Sequence, residues 1–235
     1  METSQAPATL VASNWLSLDT CGDLGSLALG RWVEGNLEVL AKAQLDGRSL
    51  SSTLVGAIAD LLRTAGVKKP EGIVLVYGPG SFTGVRLGVA AVKGLAEAWA
   101  VPVVVVSGLE LLAAKAGVDA AAQDAHRQEV FLRLPDFGAA SAALEMLAGA
   151  EEMTAMEARP AQISVCDDKA TAVLAACWPG ASLVRTDPVT AVDALKYCRA
   201  RIEAGESVDL ASLDGHYLRR SDAEIFGKSA GAPQS

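Results

Sequence analysis

The sequence predicts an α/β protein made of two small subdomains, the first of which has three strands followed by alternating helices and strands. Of its 235 residues, 51% are hydrophobic, which is enough for a sizeable buried core and excludes wholesale disorder. Near the start of the chain apolar residues alternate with polar ones, and later they recur at helical spacing. These two periods allow the elements to be assigned in order.

Three strand-like runs open the first subdomain. Residues 15–20 alternate leucine with polar side chains, and the runs 26–33 and 37–43 are separated by a turn at 34–36. The pattern then alternates between helix and strand, which predicts a helix at 49–65, a strand at 73–77, a helix at 85–100 and a strand at 103–106. The resulting order, βββαβαβ, is that of a ribonuclease-H-like half-domain.

The rest of the chain repeats this pattern less clearly. Residues 119–134 fit a hairpin, and 163–166 fit a strand. A helix is predicted at 188–203, capped by Asp187 and beginning with Pro188. We therefore expect a boundary near residue 117. The expected division is a first subdomain at 1–117, a second at 118–226 and a flexible tail at 227–235.

Charge and cysteine content argue against several classes of protein. The formal net charge of −8 opposes non-specific attraction to a nucleic-acid backbone, so any nucleic acid would be held by another protein. Four scattered cysteines form no CxxC pair, which argues against a zinc ribbon or a redox centre. The chain has no apolar stretch of membrane-spanning length, and its first residues resemble neither a signal nor a transit peptide. A cytoplasmic location is expected.

The most informative segment is GPGSFTGVRLG at residues 78–88, between a buried strand and a helix. Glycines at a helix start invite an anion-site interpretation. A Walker A loop, however, needs Lys and then Ser or Thr after its last glycine, where this chain has Val85 and Arg86. The glycine spacing does not match a dinucleotide fingerprint either. We favour a sharp turn followed by close helix packing along the small residues Gly84, Gly88 and Ala91.

This segment resembles the GPGSFTGxRxG signature of the TsaB (YeaZ) family. Other pieces resemble family motifs in the expected order, namely LSLDT at 16–20, SGLE at 107–110, DAHRQEVF at 124–131 and YLRR at 217–220. One departure is Gln128, which stands where the family's hairpin has glycine. The resemblance spans nearly the whole chain.

The resemblance implies an actin-like ATPase superfamily fold whose nucleotide site has degenerated, with no cofactor. It implies a non-catalytic subunit that pairs with the catalytic protein TsaD through the first two helices of the chain. TsaE, a P-loop ATPase, joins that pair, and the complex transfers threonylcarbamoyl to the adenosine beside the tRNA anticodon. A homodimer through the same helices is also implied.

The apolar stripes of the two helices are the contact residues that follow from this resemblance. They are Leu50, Leu54, Ile58, Leu61, Val85, Val89, Val92 and Ala96. Independently of the family, Val55 and Leu62 make the first helix apolar on more than one side, which indicates that one face meets the domain and another a partner.

Few residues fit a catalytic role. His126 and His216 form no close-spaced metal pair, so each is expected to be a solvated polar side chain. The candidates for a vestigial nucleotide or magnesium site are Asp19, Ser81, Thr83 and Asp124. For the two aspartates we favour turn capping. Two alternatives stay open, a small actin-like kinase or phosphotransferase that uses the glycine loop for ATP, and a peptidase.

Overall fold

The computed structural model describes residues 13–135 and 143–218, which form two five-stranded sheets with helices. The elements of the first half are β1 (Trp15–Asp19), β2 (Leu24–Val33), β3 (Asn36–Asp46), α1 (Leu50–Thr64), β4 (Gly72–Val76), α2 (Phe82–Trp99), β5 (Val103–Val106) and α3 (Gly108–Ala116). Those of the second half are β6 (Ala121–Asp124), β7 (Val130–Leu134), β8 (Leu144–Ala148), α4 (Ala150–Ala155), β9 (Gln162–Val165), α5 (Asp168–Cys177), β10 (Ser182–Arg185) and α6 (Ala191–Glu203).

The first sheet has the order β3-β2-β1-β4-β5, which confirms the predicted βββαβαβ unit. β1 pairs antiparallel with β2 and parallel with β4, so the meander and the crossover strands meet at β1. Every residue of β1 and of β4 is buried, because helices cover both faces of the sheet. On β2, a Cβ at Gly25 would face Leu50 of α1, whereas the neighbouring Ser26 accepts a hydrogen bond from Ala191 of α6.

The second sheet repeats this arrangement in the order β8-β7-β6-β9-β10. The predicted hairpin at 119–134 is β6 and β7, and the predicted strand at 163–166 is β9. The sequence analysis missed β8, α4, α5 and β10. These elements are short, between four and ten residues, and span too few turns or alternations for a period to stand out.

Two helices pack on the sheet of the other half. α3 follows the first sheet in the chain but contacts β6, β7 and β9, whereas α6 follows the second sheet and contacts β1, β2, β4 and β5. α6 begins at Ala191 with Thr190 as its N-cap, so the predicted start at Pro188 is wrong. Thr190 and Asp193 form a reciprocal capping box, which fixes the start three residues later. Within the described ranges, no helix is long and apolar enough to cross a bilayer.

Candidate functional site

The glycine loop at residues 78–88 packs against the turn that follows β1. A Cβ atom placed on Gly80 would overlap the carbonyl oxygen of Cys21. One on Gly84 would overlap the carbonyl oxygen of Thr20, and one on Gly88 its hydroxyl oxygen. The three glycines therefore let α2 approach the β1 strand end closely, as the packing interpretation predicts.

Hydrogen bonds join the first turn of α2 to the turn after β1. Ser81 N donates to the Cys21 carbonyl oxygen at 2.8 Å, and Ser81 Oγ accepts from Gly84 N at 3.0 Å as the N-cap of the helix. The Thr20 hydroxyl donates to the Gly84 carbonyl oxygen at 2.7 Å. Thr83 is exposed on the surface. In this geometry Ser81 acts as a helix cap, and the turn after β1 covers the glycines.

Asp19 lies at the end of β1 and is 6% exposed. Its Oδ1 accepts a hydrogen bond from Cys21 N at 3.0 Å, which is the turn-capping role that we favoured. Burial of the carboxyl group raises its pKa from the ordinary 3.8 to about 6, although hydrogen bonds from Cys21 partly oppose this. The carboxyl group is thus less acidic than an exposed aspartate.

Asp124 occupies the equivalent position at the end of β6 in the other sheet. Its carboxylate accepts from His126 N at 3.0 Å and pairs with Lys169 Nζ at 3.1 Å. The His126 side chain is 70% exposed, as expected for a solvated residue. Across residues 13–135 and 143–218, no three His, Cys, Asp or Glu side chains are grouped so that they could hold a metal ion. Asp124 therefore has a structural use in its turn.

The predicted contact stripes lie inside the protein. No residue of either stripe is more than 7% exposed, and all belong to the core cluster of the first half. They are Leu50, Leu54, Ile58, Leu61, Val85, Val89, Val92 and Ala96. The prediction that these side chains contact a partner is therefore wrong, because the apolar stripe of each helix packs on the chain's own first sheet.

The opposite sides of α1 and α2 carry small and apolar residues that face solvent. On α1, Val55 is 66% exposed and is accompanied by the exposed residues Gly56 and Ala59. On α2, Ala90 and Gly94 are exposed. Among the residues that the structure describes, a Cβ at Gly56 or Gly94 would meet no atom within 4 Å apart from the backbone of its own helix. We call Val55, Gly56, Ala59, Ala90 and Gly94 the helical face. Of the two residues predicted to extend the first stripe, Val55 points outward and Leu62 is buried.

Comparison with known proteins gives consistent matches. A family model described as TsaD, tRNA N6-adenosine threonylcarbamoyltransferase, matches residues 44–165, slightly more than half of the chain. The tRNA threonylcarbamoyladenosine biosynthesis protein TsaB of Escherichia coli K12 is 35% identical over 100 residues. That alignment covers 42% of this chain and 42% of the relative's length.

Two solved structures from Pseudomonas aeruginosa match over a larger part of the chain. One is YeaZ, with 28% identity and a TM-score of 0.68, and the other is a protein with similarity to the peptidase YeaZ, with 27% identity and a TM-score of 0.67. Each match covers 88% of this chain and 100% of the solved one. The fold is the actin-like one with ribonuclease-H-like halves that the sequence analysis expected.

Proposed function

Because the chain belongs to the TsaB (YeaZ) family, we propose that it is the non-catalytic subunit of a tRNA threonylcarbamoyladenosine synthesis complex. In this proposal it binds and activates a TsaD-type catalytic subunit, which transfers threonylcarbamoyl to the adenosine beside the anticodon. A TsaE-type ATPase joins the pair. The net charge of −8 favours a role in which tRNA is contacted through the other subunits.

The observation that supports this role best is the helical face on α1 and α2. Gly56 and Gly94 lie at exposed positions in the interiors of α1 and α2, where glycine costs about 1 kcal/mol relative to alanine. Within residues 13–135 and 143–218, no atom beyond the neighbouring backbone of the same helix lies within 4 Å of where their side chains would be, so packing among these residues gives no reason for either glycine. Such residues would allow a partner helix to approach the backbone closely, as small residues do at tight helix contacts.

The glycine loop supports a binding role over the kinase alternative. Glycines that would have to face a phosphate instead face Thr20 and Cys21. Ser81, at the start of α2, serves as the helix cap. An ATP-dependent reaction at this loop would require the turn after β1 to move away from α2.

The same face also suits pairing between two copies of this chain, so homodimer and heterodimer would compete for it. Val55 is the largest apolar side chain of the helical face and is two-thirds exposed. Burying it against either partner would contribute about 1 to 2 kcal/mol to association. We propose the heterodimer with the TsaD-type subunit as the functional state.

Size-exclusion chromatography with light scattering on this protein and the TsaD-type protein of the same organism tests the proposal. Gly94→Gln and Gly56→Gln place bulk on the helical face without touching the core, so each variant is expected to fold and to lose the complex. Ala175→Gln, at an exposed position of α5 in the other half, is the matched control and should bind like the wild type. If wild-type protein does not associate, or if the Gln variants bind as well as the control, the proposed role or its surface is wrong.

A further inference from the structure

The carboxylate of Glu145, in β8, is held by side chains from three segments. Ser107 Oγ donates to its Oε2 at 2.6 Å, Arg133 donates to its Oε1 at 2.8 Å, and His216 Nε2 lies 2.8 Å from its Oε2. Arg133 is the neighbour of Glu145 across the β7–β8 pair. Ser107 and His216 come from outside the second sheet. His216 is therefore not the solvated residue that we expected from the sequence, because its side chain is only 26% exposed.

These donors keep a largely buried carboxylate charged. The Glu145 side chain is 7% exposed, and this burial alone would raise its pKa. Hydrogen bonds from His216, Ser107 and Arg133 outweigh the burial and hold the pKa below its ordinary value. Removing a donor would leave part of the buried charge of Glu145 without a hydrogen bond. The carboxylate is therefore stable in this position only while all three donors stay in place.

His216 belongs to a segment that runs back over the first half, residues 208–218, which we call the strap. Val208 N donates to the Val103 carbonyl oxygen at 2.9 Å, and His216 N donates to the Tyr77 carbonyl oxygen at 2.8 Å. Between them, Lys93 Nζ on α2 donates to the Leu213 carbonyl oxygen at 3.0 Å. The strap is thus fastened to the first half along its length, while its histidine contacts the second.

The strap also touches the glycine loop. The His216 ring stacks on Tyr77 with centroids 5.2 Å apart, and a Cβ at Gly78 would lie 2.6 Å from the His216 carbonyl oxygen. The next residue, Tyr217, has its ring 5.4 Å from that of Phe82, the first residue of α2. Contacts therefore run without a gap from Glu145 through the strap to the start of α2.

We propose that Glu145 is a latch that ties the second half to the strap and so fixes the glycine loop and the first turn of α2. When the latch opens, the strap and the loop loosen together. Ala90 and Gly94 of the helical face lie further along the same helix as that turn, so the latch also sets how tightly the face binds its partner. This last step rests on the proposed function, whereas the link from Glu145 to the loop does not. Glu145 acts here as a positioning residue.

Hydrogen–deuterium exchange on the free, full-length protein tests the link. Glu145→Gln keeps the size of the side chain but replaces one acceptor with an amide NH₂, which cannot accept from Ser107 or His216. We expect exchange in residues 77–88 and 208–218 to speed up about tenfold or more, as loss of a charge-assisted hydrogen bond implies. Glu157→Gln, at an exposed position of the same half, should exchange like the wild type in both segments. Unchanged exchange in the strap and loop of Glu145→Gln overturns the latch.

His216→Leu removes the same contact from the side of the strap. It still tests the latch if Glu145→Gln does not fold. This variant removes the ring nitrogen while keeping an apolar side chain against Tyr77. Exchange in residues 144–148 should rise in it, because β8 loses a contact with the strap. If β8 in His216→Leu exchanges at the wild-type rate, the coupling between the two segments is refuted.

Binding to the TsaD-type protein then separates the two proposals. Glu145→Gln is expected to weaken binding about tenfold, within the usual range of coupling between sites, whereas the Glu157→Gln control should not change it. If Glu145→Gln exchanges faster in the strap and loop but binds the TsaD-type protein with wild-type affinity, the latch is supported and its effect on partner binding is overturned. Absence of binding by the wild type would remove the proposed function, and the exchange result would still decide the latch.

Discussion

The Thr20 hydroxyl donates a hydrogen bond of 2.7 Å to the Gly84 carbonyl oxygen, joining residues that lie 64 positions apart in the sequence. Both groups are buried, so the bond fixes the turn after β1 on the first turn of α2. Gly84 has to be glycine here because the Thr20 carbonyl oxygen occupies the place of its side chain. The most recognisable motif of the sequence is therefore a packing surface between a strand end and a helix.

Gly84→Ala should destabilise the protein by about 1 to 3 kcal/mol, because the added methyl group collides with backbone that cannot move without shifting β1. Urea denaturation followed by tryptophan fluorescence would measure the change. Gly94→Ala is the matched control on the same helix. In the part of the chain that the structure describes, its methyl group meets no atom within 4 Å beyond its own helix backbone, so it should stabilise the fold by up to about 1 kcal/mol. Equal effects of the two substitutions would contradict the packing role of Gly84.

Asp19→Asn should stabilise the protein at neutral pH. The folded-state pKa of Asp19 is raised from 3.8 to about 6, so ionisation opposes folding as the pH rises through this window. The stability difference between variant and wild type should be smallest below pH 4 and reach at most about 3 kcal/mol above pH 7. Denaturation midpoints measured from pH 4 to pH 8 would check this. A difference that does not grow with pH would contradict the raised pKa.

Glu145→Gln should show the opposite pH dependence. The folded-state pKa of Glu145 is lowered, so the stability that its carboxylate contributes is present above its ordinary value of 4.5 and is lost as the pH falls through the lowered folded value. We expect the variant to be less stable by about 2 kcal/mol at pH 7. The gap should narrow in acid. Denaturation of wild type and variant at pH 7 and pH 3.5 would measure both values.

Gln128→Gly should stabilise the β6–β7 hairpin. Gln128 has a φ of +63°, in the left-handed region that glycine enters without steric cost, and it follows two residues with positive φ. The expected gain is about 0.5 to 1 kcal/mol in the free energy of unfolding. Gln123→Gly in β6 is the control and should destabilise, because its backbone is an ordinary strand. Loss of stability in Gln128→Gly would mean that the side chain, not the backbone, matters there.

The sequence predicted α1 and α2 well because each has a long apolar stripe, but the stripe did not reveal what it packs on. Leu54 and Val89 were assigned to a partner, and the chain's own sheet buries both. A period of 3.6 residues identifies a buried face without identifying its neighbour. The proposed partner contact rests on a different signal, glycine at exposed positions in the helix interior, at Gly56 and Gly94.

Other features were beyond the reach of local patterns. Glu145 and His216 are 71 residues apart, and no spacing in the sequence relates them. The start of α6, by contrast, could have been predicted from the sequence, because Thr190 and Asp193 have the spacing of a capping box. The predicted start of α6 at Pro188 was three residues too early, because proline also fits the extended segment that precedes a helix.

The exchange of α3 and α6 between the two sheets has a consequence for how the protein unfolds. Ala194, Leu195 and Cys198 of α6 complete the core of the first half, and Leu109 and Leu112 of α3 pack with Ala121 and Phe131 of the second. A chain severed at residue 117 would leave the first sheet without the helix that covers one of its faces. Each half therefore takes part of its packing from a helix in the other half's stretch of sequence, so both should melt together in one cooperative transition.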